Sequence, residues 1–488
     1  MLKSELIHLI TPFSKAEMRK AEQFLKSPYH NANRTALALF KYIRRFYPEL
    51  NSFKLDRKHV YPHLYPREAF NEKRLRNQMW KLKKLLEQFL LHEQLQREDH
   101  IQNQLLVKAC FRKLNYEEFA ALIQRCVSDL EKPGFRDSEF YQKQLWFYEE
   151  LYYHPDRSMY QTDQYSVLAI IQDLERYYAL SKLRFETDQE VRKAVIEETT
   201  SSTFELQMLL EAFRQIQPEN ALIGLYLQLY NFRQAPLSAG EFSAAIDQLT
   251  RHFGLMGEKE KAYLVSAFIN TGVYYHNKGE KQFTALVARL YKIAEEQEVI
   301  SYREKIQAST FLNAVLLCSA AGELVWAKDF IKKYGSCLAP HDRNYTINLA
   351  LGYWYFLNSR QLPDQKQEML RQAHEHLSLI PYSGLVIDLR LRSLQLRVYY
   401  ELELIRGNVS VFLNFAEAFE KWLMRDPRLA QERNKAYLNF VRLSKQLVKF
   451  TEQEASSAEQ LDHFIAKVNK KKPIILKDWI IEKAEELK

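Results

Sequence analysis

The sequence predicts an all-α protein, a curved or elongated helical-repeat array preceded by a basic helical N-terminal module. Three observations carry this expectation. Glycine is scarce, at 12 of 488 residues, where average usage is about 7%, so tight turns, bulges and phosphate-cradling loops have little to be built from. Between the breaks set by proline, glycine and polar clusters, apolar residues recur at helical spacing. The stretch from Tyr263 to Pro381 half-repeats itself: Thr271-Gly272 is followed by Tyr275 and Gly279, the beat returns at Val315, Cys318, Gly322 and Ala327, and a third copy opens with Leu351-Gly352 and Tyr355. Small residues at such points let two antiparallel helices approach closely while the aromatic fills the crossing. Units of this kind cannot bury their apolar faces alone, so they stack on neighbours.

The N-terminal module is set apart by charge. Residues 1–100 hold 20 Lys+Arg against 11 Asp+Glu, whereas the rest of the chain holds equal numbers, so the whole net charge of +9 lies in the first fifth. A boundary follows near residue 100, at the polar turn Gln96 to His100. The expected organisation is a basic module over 1–100, irregular helical hairpins over 101–260, repeats over 261–427 and capping helices over 428–488. Four cysteines without C-x-x-C spacing point to a reduced, cytoplasmic protein. Met1 to Phe13 lacks the features of a secretory signal. The longest apolar run, Phe311 to Ala321, is well short of the ~18 residues of a membrane span, so no membrane insertion is expected.

The first helix opens with a capping box, Ser14 with Glu17, and a hydrophobic staple, Phe13 with Met18; Ser27-Pro28 ends it. A second helix runs from about Asn33 to Phe46. Tyr61-Pro62 and Tyr65-Pro66 predict a bent connection, and Asn71 caps a long third helix. There Leu75, Met79, Leu82, Leu86 and Phe89 form one stripe, with Lys73, Arg74, Arg76, Lys81, Lys83 and Lys84 well away from it. Trp80 points out among these cations. Such a face either meets phosphates and stacks on a base, or is a solvated face with Trp80 covered by a neighbouring helix. Helical patterning then continues through Leu105, Ala109, Leu122 and Val127, an aromatic helix from Phe140 to Tyr153, a loop to Thr162, and a very long helix over about 164–198 closed by Thr199 to Thr203. Near the end, Asp426-Pro427 stops a helix, Ser457 and Gln460 form another capping box, and the tail helix sets Trp479 and Ile480 inward with Glu482, Lys483, Glu485 and Glu486 outside.

The run from Tyr61 to Leu86 resembles the last two helices of the winged-helix domain in bacterial transcriptional activators, where a similar helix enters the major groove. The β-hairpin wing should follow, yet residues 90–114 read as helix. The Leu-Gly-x-x-Tyr at 351–355 and the Gly-x-x-x-x-Ala at 322–327 resemble fragments of the tetratricopeptide repeat. Gly240 and Ala245 share the second spacing. The anchors Gly272, Val315 and Gly352 are farther apart than the about 34 residues of that repeat. In tetratricopeptide units the first helix of each pair lines the concave face. By that resemblance Ile269, Val273, His276 and Asn277, with Tyr353 and Phe356, are candidate groove contacts.

Nucleotide, dinucleotide, serine-hydrolase and zincin signatures are absent. His59 and His63 are separated by Pro62, and His374 and His376 point to different sides of a helix, so neither pair predicts a metal site. Carboxylate pairs such as Glu149-Glu150 sit among neighbouring charges. The Tyr-Tyr doublets at 152–153, 177–178, 274–275 and 399–400 could each place one ring at a helix crossing and one in a groove. The expected function is a non-catalytic, cofactor-free scaffold or adaptor that binds an apolar peptide or helix of a partner protein. The alternative is a nucleic-acid-binding regulator acting through the helix at 71–96.

Overall fold

A computed structural model describes residues 1, 3–158, 167–193, 206–301, 305–381, 384–425, 431–451 and 458–488. Among these residues the chain is helical throughout, and extended pairing is limited to one bridge between Ile306 and Leu338. It divides into two compact units, residues 1–133 with 143–170, and residues 134–142 with 171–488. Both ends of the long helix expected over 164–198, its polar closure at 199–203, the Asp426-Pro427 stop and Ser457 of the second capping box lie outside the described residues.

The first unit starts with α1 (Glu5–Ile10), α2 (Lys15–Lys26), α3 (Arg34–Arg44), α4 (Arg57–Leu64) and α5 (Glu72–Leu95). The capping box at α2 forms as expected: Glu17 N–H donates to Ser14 Oγ at 3.2 Å, and Ser14 N–H to the Glu17 carboxylate at 2.7 Å. Those bonds hold the Glu17 carboxyl below its ordinary range. Asn33 and Asn71 cap α3 and α5 through the N–H groups of Ala36 and Arg74. The stripe Leu75, Met79, Leu82, Leu86 and Phe89 is buried, in one core with Leu39, Phe40 and Ile43 of α3. The expected bent connection is shorter than the two prolines predict. Pro62 sits inside α4, so the turn falls only at Tyr65-Pro66; the helix is only eight residues long, and Tyr61, 1% exposed, anchors it in the core. A separate core joins α6 (Asp99–Cys110), α7 (Tyr116–Glu131) and residues 143–152 of α8 (Ser138–Tyr152) around Val107, Phe119, Ile123 and Phe147. Leu105, expected inside that pair, is 49% exposed, and Val107 takes the buried place.

The second unit includes most of α9 (Val167–Lys193), then α10 (Leu206–Ile216), α11 (Ala221–Gln234), α12 (Ala239–Arg251), α13 (Glu258–Asn277), α14 (Phe283–Glu296), α15 (Ala308–Ala320) and α16 (Leu324–Tyr334). It continues with α17 (Pro340–Asn358), α18 (Lys366–Ser378), α19 (Leu385–Arg406), α20 (Ser410–Arg425), α21 (Gln431–Thr451), α22 (Ala458–Lys470) and α23 (Lys477–Glu485). From α13 to α21 each helix packs on the next, and α15 and α17 also pack on each other. Gly279 and Gly322, at φ +98° and +90°, close α13 and α15 by one device. The N–H after each glycine reaches back five residues, Glu280 to the Tyr275 carbonyl and Glu323 to the Cys318 carbonyl, a left-handed termination that glycine adopts without steric cost. Inside the pairs, a Cβ on Gly272 would stand 2.5 Å from Val287 Cγ2 of α14, and one on Gly352 2.5 Å from Leu377 Cδ2 of α18.

These approaches give a size test. Gly272→Ala forces a methyl against a fully buried valine and should cost about 1–3 kcal/mol, the range for overpacking a tight core. Adding Val287→Ala should return part of that loss in urea unfolding. A Gly272→Ala chain as stable as the parent would show that α13 and α14 do not meet this closely.

Candidate functional site

The basic face of α5 is the first candidate. Lys73, Arg74, Arg76, Lys81 and Lys84 are exposed and Lys83 is half-buried. Three of the six cations already have carboxylates: Arg74 pairs with Glu68 and lies over the Tyr65 ring at 4.0 Å, Lys83 with Glu5 at 2.5 Å, and Lys84 with Glu87 at 2.7 Å. Lys73, Arg76 and Lys81 have no ion pair among the described residues. Trp80 is 59% exposed, so a neighbouring helix does not cover it in the described structure. Counting 100° per residue, Lys73, Arg76 and Lys84 lie within about 40° of Trp80, and Lys81 is turned about 100° away. Helix α6 follows α5 where a winged-helix domain has its β-hairpin.

The groove expected along the second unit is differently built. Phe356 and Tyr353 are 1% and 6% exposed and Ile269 is 9% exposed, so these three side chains offer almost no surface. Two guanidinium groups lie over the Phe356 ring, Arg360 at 5.5 Å and Arg397 at 5.0 Å from its centre. Val273 and His276 are half-buried and Asn277 is exposed. His276 Nδ1 lies 2.8 Å from Thr284 Oγ1 of α14, and burial lowers its proton affinity against the pull of Asp478.

That last contact leads to α23, which lies against several of these helices. Asp478 is 4.0 Å from Lys281 in the α13–α14 turn, and Glu482 pairs with Arg360 after α17 at 3.1 Å. Trp479 meets the rings of Tyr400 on α19 at 5.3 Å and Phe440 on α21 at 5.9 Å. Ile480 and Ala484 are fully buried. Lys483, expected outside, is 3% exposed: its ammonium is 2.6 Å from Glu401 on α19, which is also 3% exposed and paired with Lys366 at 2.7 Å. Burial opposes the charge of Glu401, but Lys483 and Lys366 outweigh it and the carboxyl stays below its ordinary range.

A second buried network joins Ser138, Arg184, Tyr226 and Glu260. The Tyr226 hydroxyl donates to Glu260 at 2.5 Å, Ser138 Oγ at 3.1 Å, and Arg184 lies 3.4 Å from the same carboxylate. Glu260 is 3% exposed, and its burial raises the carboxyl despite Tyr226 and Arg184. Shut from solvent, the group works as a clamp between the start of α8 and α9, α11 and α13. Its members are up to 122 residues apart, and no local pattern signals it.

His59 meets Phe53 and His63 meets Tyr42, while His374 faces Tyr399 and His376 stacks on Tyr355. Among the described residues no group of three His, Cys, Asp or Glu side chains is placed to hold a metal ion. Two tyrosine doublets bury one ring fully and leave the other half-buried. Tyr275 and Tyr400 are buried, whereas Tyr274 lies under the Arg233 and Lys278 cations and Tyr399 against His374. Tyr152 and Tyr153 are both exposed. No helix among the described residues is long and apolar enough to cross a membrane. Neither a family model, nor a curated protein, nor a solved structure matches this chain.

The two candidates separate cleanly in stability. Lys483→Met leaves Glu401 with Lys366 alone and should cost about 3 kcal/mol, the low end of the span for breaking one side of a buried pair. Trp80→Ala should stay within the about 0.5 kcal/mol typical of surface substitutions. Urea midpoints of both variants check this, and a large loss at Trp80 would mean that its ring is covered in solution.

Proposed function

We propose that this chain is a non-catalytic scaffold that binds a helix of a partner protein against stacked, tetratricopeptide-like helical hairpins in its second unit. Support for the repeat comes from the matched small-residue crossings at Gly272 and Gly352 and the matched terminations at Gly279 and Gly322. The observation that carries the binding mode is the seat of α23. A short amphipathic helix is gripped there by an aromatic-apolar face, one buried Lys–Glu pair and two flanking ion pairs. Apolar anchors at helical spacing plus a charged selector describe helix-in-groove recognition. The expected contacts are narrowed accordingly: Val273, His276 and Asn277 keep some surface, while Ile269, Tyr353 and Phe356 are buried. A cytoplasmic setting belongs to the same proposal and fits four free thiols.

A chain ending at Pro473 tests this with a labelled peptide of residues 474–488. Binding should saturate and should weaken at least tenfold, about 1.4 kcal/mol, when the peptide carries Lys483→Met. A shortened chain that keeps its helical spectrum and cooperative melting but takes up no peptide would overturn the proposal.

Exposed Trp80 favours a second reading, nucleic-acid binding through α5. With Lys73, Arg76 and Lys84 engaged, log affinity for duplex DNA should fall against log salt with a slope near about −2.7. The double substitution Lys73→Ala, Arg76→Ala should reduce that slope by about 1.8. Trp80→Ala should cost about 1–3 kcal/mol on single strands if a base stacks there. Binding insensitive to all three substitutions would remove this reading.

A further inference from the structure

The outer face of α9 is apolar where a surface helix is ordinarily polar. Ile171, Leu174, Tyr178 and Phe185 are 45%, 49%, 41% and 60% exposed, while Asp173, Ala179, Leu180 and Leu183 form the buried face. With Ser181, the exposed side chains follow one another at intervals of three and four and fall within about 80° of arc. This is the seam of a two-stranded coiled coil, with Ile171, Tyr178 and Phe185 at one core position and Leu174 and Ser181 at the other. A dimple of about 410 Å³ opens at Ser181, lined by Tyr178, Lys182 and Phe185 and, farther out, by Tyr177, Glu186 and Gln189. Residues 178, 181, 182 and 185 are the four-residue set that forms the hole for a knob from a facing helix.

We infer that this face is a self-association surface, on which α9 of a second copy packs antiparallel with its Tyr178 in the dimple at Ser181. The seam is complementary to itself in that direction alone. Set antiparallel, Tyr178 meets Ser181 twice, a ring against a small residue in the central layers, then Leu174 meets Phe185 twice, and at each end Ile171 faces the exposed Asp188. Glu175 and Lys182 flank the seam at equivalent positions and come to face each other on both sides. Glu175 is exposed, and Lys182 is at present held by Glu186 at 2.6 Å. Set parallel, Ser181 would meet Ser181 and leave the hole empty, Phe185 would crowd Phe185, and the flanking pairs would be Tyr177 with Lys182 and Arg184 with Gln189, without opposite charges. The helix is already folded by its inner face, so association orders little backbone. A seam from 171 to 185 is only about 22 Å long, so the dimer is weak and concentration-dependent rather than permanent.

Sedimentation equilibrium of the full chain from micromolar to hundreds of micromolar tests this, the monomer being 58.1 kDa. The dimer fraction should rise with concentration. Phe185→Glu places a charge on the seam and should weaken the dimer at least tenfold. Ser181→Trp fills the hole and should do the same. Both are to be compared with the parent by circular dichroism melting, so that two chemically opposite changes guard against loss by unfolding. Direction is read by oxidising a mixture of Leu174→Cys and Phe185→Cys chains and mapping the product by mass spectrometry. A 174–185 cross-link is expected, and a 174–174 cross-link would overturn the antiparallel packing. A chain monomeric at every concentration would overturn the inference, whether another segment of the same chain or a different protein covers the seam. So would a dimer indifferent to both seam variants.

Discussion

A backbone with no side chain at Gly272 or Gly352 sits where any other residue would place a carbon 2.5 Å from a buried methyl. Helices that have no sheet to lean on must bury one face against another helix, and the distance between them is set by the smallest residue at the crossing. With the crossings α13–α14 and α17–α18 drawn tight, Tyr275 reaches across to donate its hydroxyl to the Ala235 carbonyl at the end of α11 at 3.1 Å, and stacks on Phe283. In the same way Trp354 donates its indole N–H to the Leu324 carbonyl at the start of α16 at 2.8 Å. Each close pair thus ties itself to an earlier helix, the first to α11 and the second to α16.

What could be read from the sequence was what depends on neighbours in the chain. Ser14 and Glu17 are three residues apart, and the α5 stripe is set by 3.6-residue periodicity. The glycine beat marks crossings because only small residues fit there, whatever else the fold does. What could not be read depends on partners far along the chain. Periodicity pointed Trp80 outward but could not say whether another helix would cover it. Lys483 stood on the polar side of its helix by pattern, yet Glu401 on another helix draws it into the interior. Phe356 and Tyr353 were placed on a first helix facing a groove, but Arg397 from α19 and Arg360 close over Phe356. In each case the decisive atom belongs to another element, and composition carries no trace of the pairing.

Helix α9 fails the usual signal in another way. An amphipathic helix has one apolar face, and its period reveals which side is buried. In α9, Leu180 and Leu183 lie on one side and Leu174, Tyr178 and Phe185 on the other, so the two faces cancel in any periodicity measure. Sequence reasoning therefore recognised a long helix without an orientation. Only the burial of one side separates the face that holds the unit from the face left over. A leftover face with intervals of three and four is ordered enough to match its own reverse.

Glu401 and Glu260, two of the buried carboxylates of the second unit, respond to acid in opposite senses, and the difference lies in their counter-charges. Glu401 has two ammonium groups, at 2.6 and 2.7 Å, and its carboxyl is held below the ordinary range. A depressed native carboxyl stabilises the fold above its unfolded value, and that contribution is lost as pH falls through the native value. Glu260 has one arginine at 3.4 Å, a phenol, a hydroxyl and the repulsion of Asp137, so desolvation prevails and the carboxyl is raised. A raised native carboxyl binds a proton more readily in the folded chain, so its cost to stability falls as pH drops through the native value. Acid therefore loosens the α19–α23 contact that holds the C-terminal helix while relieving the α8–α9–α11–α13 clamp. Charge placement makes the seat of α23 the more acid-sensitive of the two junctions, although both carboxylates are equally buried at 3% exposure.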